Sequence, residues 1–283
     1  MSARKPAAAP VVVEVVAILS DLHVAIIDPV VLDLCKQWVR DVRPKRMLLN
    51  GDVLDLADFS VYPKGVNPIE CAVDEIKSAV AHVNGFLQHT DSVVWSLGNH
   101  ESRWSRMIGG ADARKFHGAK GLTLEDQLRA HGLDPEVRMF NECAATPALE
   151  LCRGVYARHG DRQSGRFGGA VNIATNRLNK GNGVSEVVGH HHRAQIAYRS
   201  GLDRQAFVMA LPTMAKAEDY APGADWQRGW AALTIVRRGS KVVHVQPDLI
   251  IPTAGVATWG GRAWHATPPA AQPVTKMPAK AAA

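Results

Sequence analysis

Five short apolar runs in this chain each end in aspartate, asparagine or histidine. VVVEVVAIL leads into Ser20-Asp21-Leu22-His23, RMLLN into Gly51-Asp52-Val53-Leu54-Asp55, and SVVWSL into Gly98-Asn99-His100-Glu101; VYAR leads into His159-Gly160-Asp161 and SEVV into Gly189-His190-His191-His192. Carboxylate, amide oxygen and neutral imidazole, without a thiolate, suit divalent manganese, iron, zinc or nickel rather than a structural zinc or a calcium cage. Asp21, His23, Asp52, Asn99, His159, His190 and His192 are too many ligands for one ion. Two ions about 3.5 to 4 Å apart, with Asp52 bridging, would use all seven and leave positions open for water and substrate. Such a pair lowers the pKa of a shared water and polarises a bound substrate, which is chemistry suited to hydrolysis.

Taken singly, each residue has a plainer reading. His82, His89, His117, His131, His244 and His265 read as structural or surface histidines, and Asp28, before a proline, as a helix cap. The triple histidine is internal, short and preceded by a strand, unlike an affinity tag. The tryptophans read as packing, with Trp104 a candidate wall of a substrate cleft.

The elements that must position these residues follow from periodicity. VVVEVVAIL, RMLLN and SVVWSL are strands; DPVVLDLCKQWVRDV is a helix, capped by Asp28 with Pro29 in its first turn. A second helix opens near Asn67 and Pro68, with Ile69, Val73, Ile76, Val80, Val83 and Leu87 on one face. From about residue 136 the pattern changes to strands and hairpins (ALELCRGVYARH, SEVVGH, AQIAYRSGLDRQAFVMAL and WAALTIVRRGSKVVHVQ), broken by one helical segment near GGAVNIATNRLN. The fold class predicted is α/β: two packed mixed sheets flanked by helices, an αββα four-layer sandwich. In open α/β sheets ligands bind beyond the carboxyl ends of strands, so the five termini should share one rim. Strand alternation should put Asp21 and His23 on one side, and likewise His190 and His192. Residues 101 to 135 and 212 to 228 read as loops without a motif.

Composition narrows the classes. The hydrophobic fraction of 46% supports one domain, expected over residues 11–250, with residues 1–10 and the Ala/Pro-rich 251–283 mostly disordered. Of the net charge of +6, five charges reside in those ends, in Arg4, Lys5, Arg262, Lys276 and Lys280, and the centre is close to neutral. The basic ends could hold a nucleic acid but say little about the site. Cys35, Cys71, Cys143 and Cys152 form no C-x-x-C pair, which fits a reducing cytoplasm. Glu14 interrupts the only signal-like run, and no apolar stretch of about 18 residues suggests a membrane span.

In order, D21-L-H23, G51-D-V-L-D55, G98-N-H-E101, H159 and G189-H-H-H192 resemble the motifs of the calcineurin-like metallophosphoesterase superfamily. The contexts GNHESR, RHGDR and GHHHR, with a later DWQRGWA, resemble its small bacteriophage-type members. The resemblance implies that Asp21, His23, Asp52 and His192 hold one ion and Asp52, Asn99, His159 and His190 the other, with manganese the metal expected in vitro. It also implies that His100 protonates the leaving oxygen or steadies the phosphate, and that Asp55 pairs with it. His191 stands where a small or hydroxyl residue is expected, and should point away from the metals. Arg103, Arg162 and Arg193 lie within three residues of ligand positions and could fork onto a phosphate, Arg103 foremost. The expected function is dimetal hydrolysis of phosphate esters, diesters slightly preferred, by hydroxide attack with His100 as general acid. A DNA nuclease and a catalytically silent metal-binding scaffold are the alternatives. Substrate choice and oligomeric state have no signal in the sequence.

Overall fold

The computed structural model describes residues 9–60, 71–108, 121–142, 147–161, 184–200, 205–216 and 225–267. β1 (Val11–Leu19) is apolar and β-branched, and its second half is buried on both faces, as a central strand requires. Asp28 caps α1 (Pro29–Val42): its carboxylate accepts from the amides of Val30 and Val31, with Pro29 in the first turn as predicted. Val31, Leu34, Cys35, Trp38 and Val39 recur at helical spacing and make its buried stripe. β2 (Arg46–Asn50) follows, then α2 (Ala72–Leu87) and β3 (Val93–Ser96).

The second helix buries Ile76, Val80 and Val83 as its spacing predicts, but Val73 is 40% exposed and the inner face begins instead with a charged residue, Glu75. Asn67, Pro68 and Ile69 lie outside the described residues. The stretch read as a motif-free loop contains two helices, α3 (Glu101–Ile108) and α4 (Leu124–Ala130), and leads to a short β4 (Arg138–Phe140). A capping box starts α4, Thr123 and Asp126 each accepting the other's backbone N–H.

Seven further strands complete two sheets: β5 (Leu149–Cys152), β6 (Val155–Arg158), β7 (Ser185–Val188), β8 (Gln195–Ser200), β9 (Gln205–Ala210), β10 (Trp230–Arg238) and β11 (Lys241–Ile250). The first sheet runs β11-β10-β1-β2-β3-β4, with β1 to β4 parallel; the second runs β5-β6-β7-β9-β8, with β6, β7 and β9 parallel between antiparallel edges. Side-chain alternation divides the core. Val16, Ile18, Leu48 and Leu233 face the second sheet and meet Ala157, Val187, Phe207 and Met209. Ala17, Leu19, Met47 and Leu49 face the other way, onto Trp38, Val80 and Leu128 of the helices. The protein is therefore a mixed α/β sandwich, two sheets face to face with helices outside the first. The helical segment expected near 168–179, on which the fourth layer depends, lies outside the described residues.

The boundary expected at residue 250 is corrected. β12 (Val256–Trp259) and β13 (Arg262–His265) form an antiparallel hairpin that packs back on the helical layer. Trp264 is 4% exposed, its indole N–H donating to Asp41, and Trp259 meets Trp38 edge to face at 5.5 Å. Two tryptophans supply the burial that the surrounding Ala/Pro composition lacks. Arg262, counted among the loose basic residues, lies over the Trp264 ring at 5.2 Å. Residues 1–8 and 268–283 lie outside the described residues. No described helix is long and apolar enough to cross a membrane.

Candidate metal centre

Every ligand position named from the sequence follows the carboxyl end of a strand: Asp21 and His23 after β1, Asp52 after β2, Asn99 after β3, His159 after β6, and His190 and His192 after β7. Three strands belong to one sheet and two to the other, so the rim spans the sandwich. Beyond their ends β1 and β2 stay side by side, Asp21, His23 and Val24 donating to the carbonyls of Gly51, Asp52 and Val53 at 3.0 Å each. Thr213, after β9, joins by donating its hydroxyl to the Asp21 carbonyl at 2.7 Å.

The side chains do not converge by strand alternation. Asp21, His23, Asp52, His190 and His192 all have left-handed backbone, with φ of 52°, 42°, 51°, 69° and 58°. Aspartate and histidine tolerate this region better than most residues, yet such positions cost about 1 to 3 kcal/mol each and persist where the surroundings over-determine them. The neighbouring glycines show how tight those surroundings are. A Cβ on Gly98 would lie 2.2 Å from Asp52 Oδ1, and one on Gly51, itself at φ 85°, would lie 2.3 Å from the His159 ring.

Among the described residues three groups have ligand atoms all within 4.8 Å of one another and could hold a metal ion: Asp21, His23 and His192; Asp52, His159 and His190; and His23, Asp55 and His100. Within them Asp21 Oδ1 is 3.1 Å from His192 Nε2, and Asp52 Oδ2 is 3.1 Å from His159 Nε2. Asn99 Oδ1 lies 3.0 Å from the same His159 nitrogen. The first two groups adjoin, since the His190 amide donates to Asp21 Oδ2 at 3.0 Å. His190 and His192 thus serve different groups rather than one.

The donor set fits divalent cations. His159 turns Nδ1 to the Asn50 carbonyl at 2.9 Å and Nε2 to Asp52, and His23 turns Nδ1 to Asp55 at 3.2 Å. A second acceptor that fixes ring and tautomer is the usual support of a metal-ligating imidazole. Burial raises the Asp52 carboxyl, but the imidazoles of His159 and His100 outweigh it and hold Asp52 well below the usual range; His192 and His159 do the same for Asp21. His159 is buried, which lowers its pKa, yet Asp52 drives it well above the ordinary histidine value. Burial and neighbouring imidazoles leave His23 and His190 lowered on balance, which favours the neutral, ligating ring.

His100 stands beside these groups. Its Nδ1 is 3.0 Å from Asp55 Oδ1 and 2.9 Å from the Asp55 backbone oxygen, and its Nε2 is 3.8 Å from Asp52 Oδ2. Burial works to lower its pKa, but Asp52 and Asp55 raise it on balance, against Arg103. Arg103 Nη2 lies 3.1 Å from His100 Nε2 while its Nη1 donates to the Asp55 carbonyl at 2.7 Å, so this guanidinium is at the centre. Arg193 instead forks onto exposed Asp225, at 2.6 and 2.9 Å. Arg162 lies outside the described residues. His191 belongs to none of the three groups and packs edge-on to His190. Trp226 packs against His192 at 4.1 Å, a neighbour that sequence reasoning missed, whereas Trp104 meets Phe59 and donates to the Leu122 carbonyl.

Two buried acids were also missed. Glu101 accepts from the amides of Asp52, Val53 and Leu54 at 2.9, 2.7 and 3.0 Å, and from Gly98 at 2.7 Å; Glu75 accepts from those of Asp55 and Leu56. Each acid is 1% exposed. The legible signal for Glu75 was its place on the helical face of Ala79 and Val83. A separate crevice of about 790 Å³, lined by Arg153, Tyr198, Phe207 and Val243 among others, lies at the starts of β6, β7 and β9 and contains none of the ligand positions.

No protein-family model matches the chain, and no curated protein matches it. Solved structures align over most of its length at low identity. Vacuolar Protein Sorting 29 from Cryptosporidium parvum is 13% identical, with a TM-score of 0.40, covering 85% of this chain and 99% of its own. Vps29 from Entamoeba histolytica, solved with Zn2+, is 12% identical with a TM-score of 0.37, covering 83% and 98%. TT1561 of Thermus thermophilus is 10% identical with a TM-score of 0.39, covering 84% and 99%. At such TM-scores the likeness carries no weight for function; the gathered side chains do.

Proposed function

We propose that the chain is a metal-dependent phosphoesterase, hydrolysing phosphate esters with diesters slightly preferred, of the calcineurin-like kind and nearest the small bacteriophage-type members. One observation carries the reading: Asp21, His23 and His192 adjoin Asp52, His159 and His190, with His100 held beside them by Asp55. Asp21, His23, Asp52 and His192 would hold one divalent ion and Asp52, Asn99, His159 and His190 a second, manganese in vitro. Two such ions supply an activated water and neutralise phosphate oxygens. The protein's own groups do the rest. His100, with Nδ1 engaged by Asp55, can deliver a proton from Nε2 to the leaving oxygen. Arg103 reaches the same point and can fork onto a non-bridging oxygen. Glu101 and Glu75 hold the turn that carries Asp52 and Asp55. A cytoplasmic setting accords with the widely spaced cysteines.

The test is a panel with added manganese: p-nitrophenyl phosphate, its bis-ester, cyclic nucleotides, and single- and double-stranded DNA. Hydrolysis strongest on diesters, abolished by chelation and in His100→Ala, is expected. DNA cleavage that survives removal of the basic ends and is lost in His100→Ala would make the protein a nuclease. Two bound metal equivalents with no ester hydrolysed would overturn the reading and leave a metal-binding scaffold.

A further inference from the structure

Glu75 lies 20 residues after Asp55 and reaches it across the fold from α2. One carboxylate oxygen accepts the Asp55 N–H, and the other accepts the Leu56 N–H at 3.0 Å. The Leu56 N–H belongs to the same rigid peptide plane as the Asp55 carbonyl. That carbonyl points the opposite way, 2.9 Å from His100 Nδ1 and 2.7 Å from Arg103 Nη1. One peptide unit is thus clamped between a buried acid on one side and two candidate reacting groups on the other. Leu56 is itself left-handed, at φ 48°, a conformation that needs outside support in a residue with a bulky side chain.

We infer that Glu75 is a positioning residue: by holding the Asp55–Leu56 peptide it sets the orientation of His100 and Arg103. The inference rests on the roles of those two residues proposed above. A buried carboxylate is costly in a helix face that could be apolar, and here both of its oxygens are committed to this one turn. A purely structural acid would stabilise α2 without governing turnover.

The comparison uses Glu75→Ala, Glu75→Gln and, as a packing control on the same helix face, Val83→Ala. With manganese and bis(p-nitrophenyl) phosphate, Glu75→Ala is expected to lose about 10- to 100-fold in kcat with an unchanged number of bound manganese ions. Its KM should stay within about twofold, because the loss is in the transition state. Glu75→Gln, which keeps one acceptor oxygen but sets an amide N–H group against the other backbone N–H, should recover only part of the rate, and Val83→Ala should keep it despite a lower Tm. Independently of turnover, the His100 ring resonances and the Asp55 and Leu56 amide resonances should shift in Glu75→Ala and not in Val83→Ala. Unchanged kcat with unmoved resonances, or an equal loss in Val83→Ala, overturns the inference. Should the wild-type protein hydrolyse nothing, the phosphoesterase reading fails and the resonances alone decide the positioning role. Should Glu75→Ala not fold, Glu75→Asp takes its place: one methylene short, it should lose rate and shift the His100, Asp55 and Leu56 resonances, and wild-type rate with unmoved resonances overturns the inference.

Discussion

Asp55 grips His100 twice, through its carboxylate at 3.0 Å and its backbone oxygen at 2.9 Å, both on Nδ1. A ring held in this way keeps its proton on Nδ1 in the neutral form and turns Nε2 toward Arg103 and Asp52. His100→Ala is expected to lower kcat by about 10² to 10⁴. Asp55→Asn, which keeps the backbone contact, should cost less, about tenfold. Steady-state kinetics beside manganese calorimetry checks both; loss of bound metal in His100→Ala would move that residue into the ligand set.

Asp52 is the carboxylate on which the second group depends, and removing its charge should remove an ion. In wild type, manganese at a hundred times Kd should stabilise the fold by about 2.7 kcal/mol. Thermal unfolding with and without the metal should show this rise, and Asp52→Asn should lose most of it.

Gly98 has no room for a side chain. In Gly98→Ala the new methyl would lie 2.2 Å from Asp52 Oδ1, so Asp52 or the Gly98 backbone must move. Overpacking of this kind costs about 1 to 3 kcal/mol, and the shifted carboxylate should weaken metal binding more than Tm. Calorimetric titration compared with a melting curve separates the two effects; intact affinity would contradict the geometry.

The sequence disclosed the ligand types and their strand ends because aspartate, asparagine and histidine beside glycine stand out at the ends of apolar runs. The strands β1, β2 and β3 and the Asp28 cap of α1 were legible for the same reason: period and punctuation are local. Left-handed backbone at Asp21, His23 and His192 was not, since it is imposed by contacts from Gly51, Asp52, Thr213 and Gln227 far along the chain. Glu75 and Glu101 looked like ordinary helix acids because their partners are backbone amides, which leave no mark on composition. Thr123 and Asp126 did spell a capping box, so α4 was readable where a loop was expected. The terminal hairpin was hidden by an Ala/Pro background that masks its two tryptophans.

Trp264 measures how far the fold extends. Burial of its ring against the helical layer predicts a loss of about 3 kcal/mol for Trp264→Ala, seen as a lower urea midpoint. A midpoint unchanged from wild type would restore residue 250 as the boundary.

His82 offers a stability switch remote from the metal ligands. Its Nδ1 faces the Lys36 ammonium at 3.3 Å, and burial together with that charge depresses its pKa to about 4 from the ordinary 6.5. The unfolded chain takes up the proton first, so the stability this ring contributes is complete above about pH 6.5 and is lost as pH falls toward 4. Allowing for partial exposure, the change amounts to about 1 kcal/mol. His82→Gln should flatten the stability difference by that amount between pH 6.5 and 4, measured by urea unfolding at each pH.

Residues 52 to 56 have their five consecutive amides engaged by Glu101 and Glu75. A phosphate-binding loop of the nucleotide-binding type works by pointing such amides at the anion. Here they are already saturated by the protein's own acids, so in the proposed reaction this turn would leave the phosphate to cations. Inorganic phosphate should therefore bind the metal-loaded protein far more tightly than an apo preparation, in which Arg103 is the cation left beside His100.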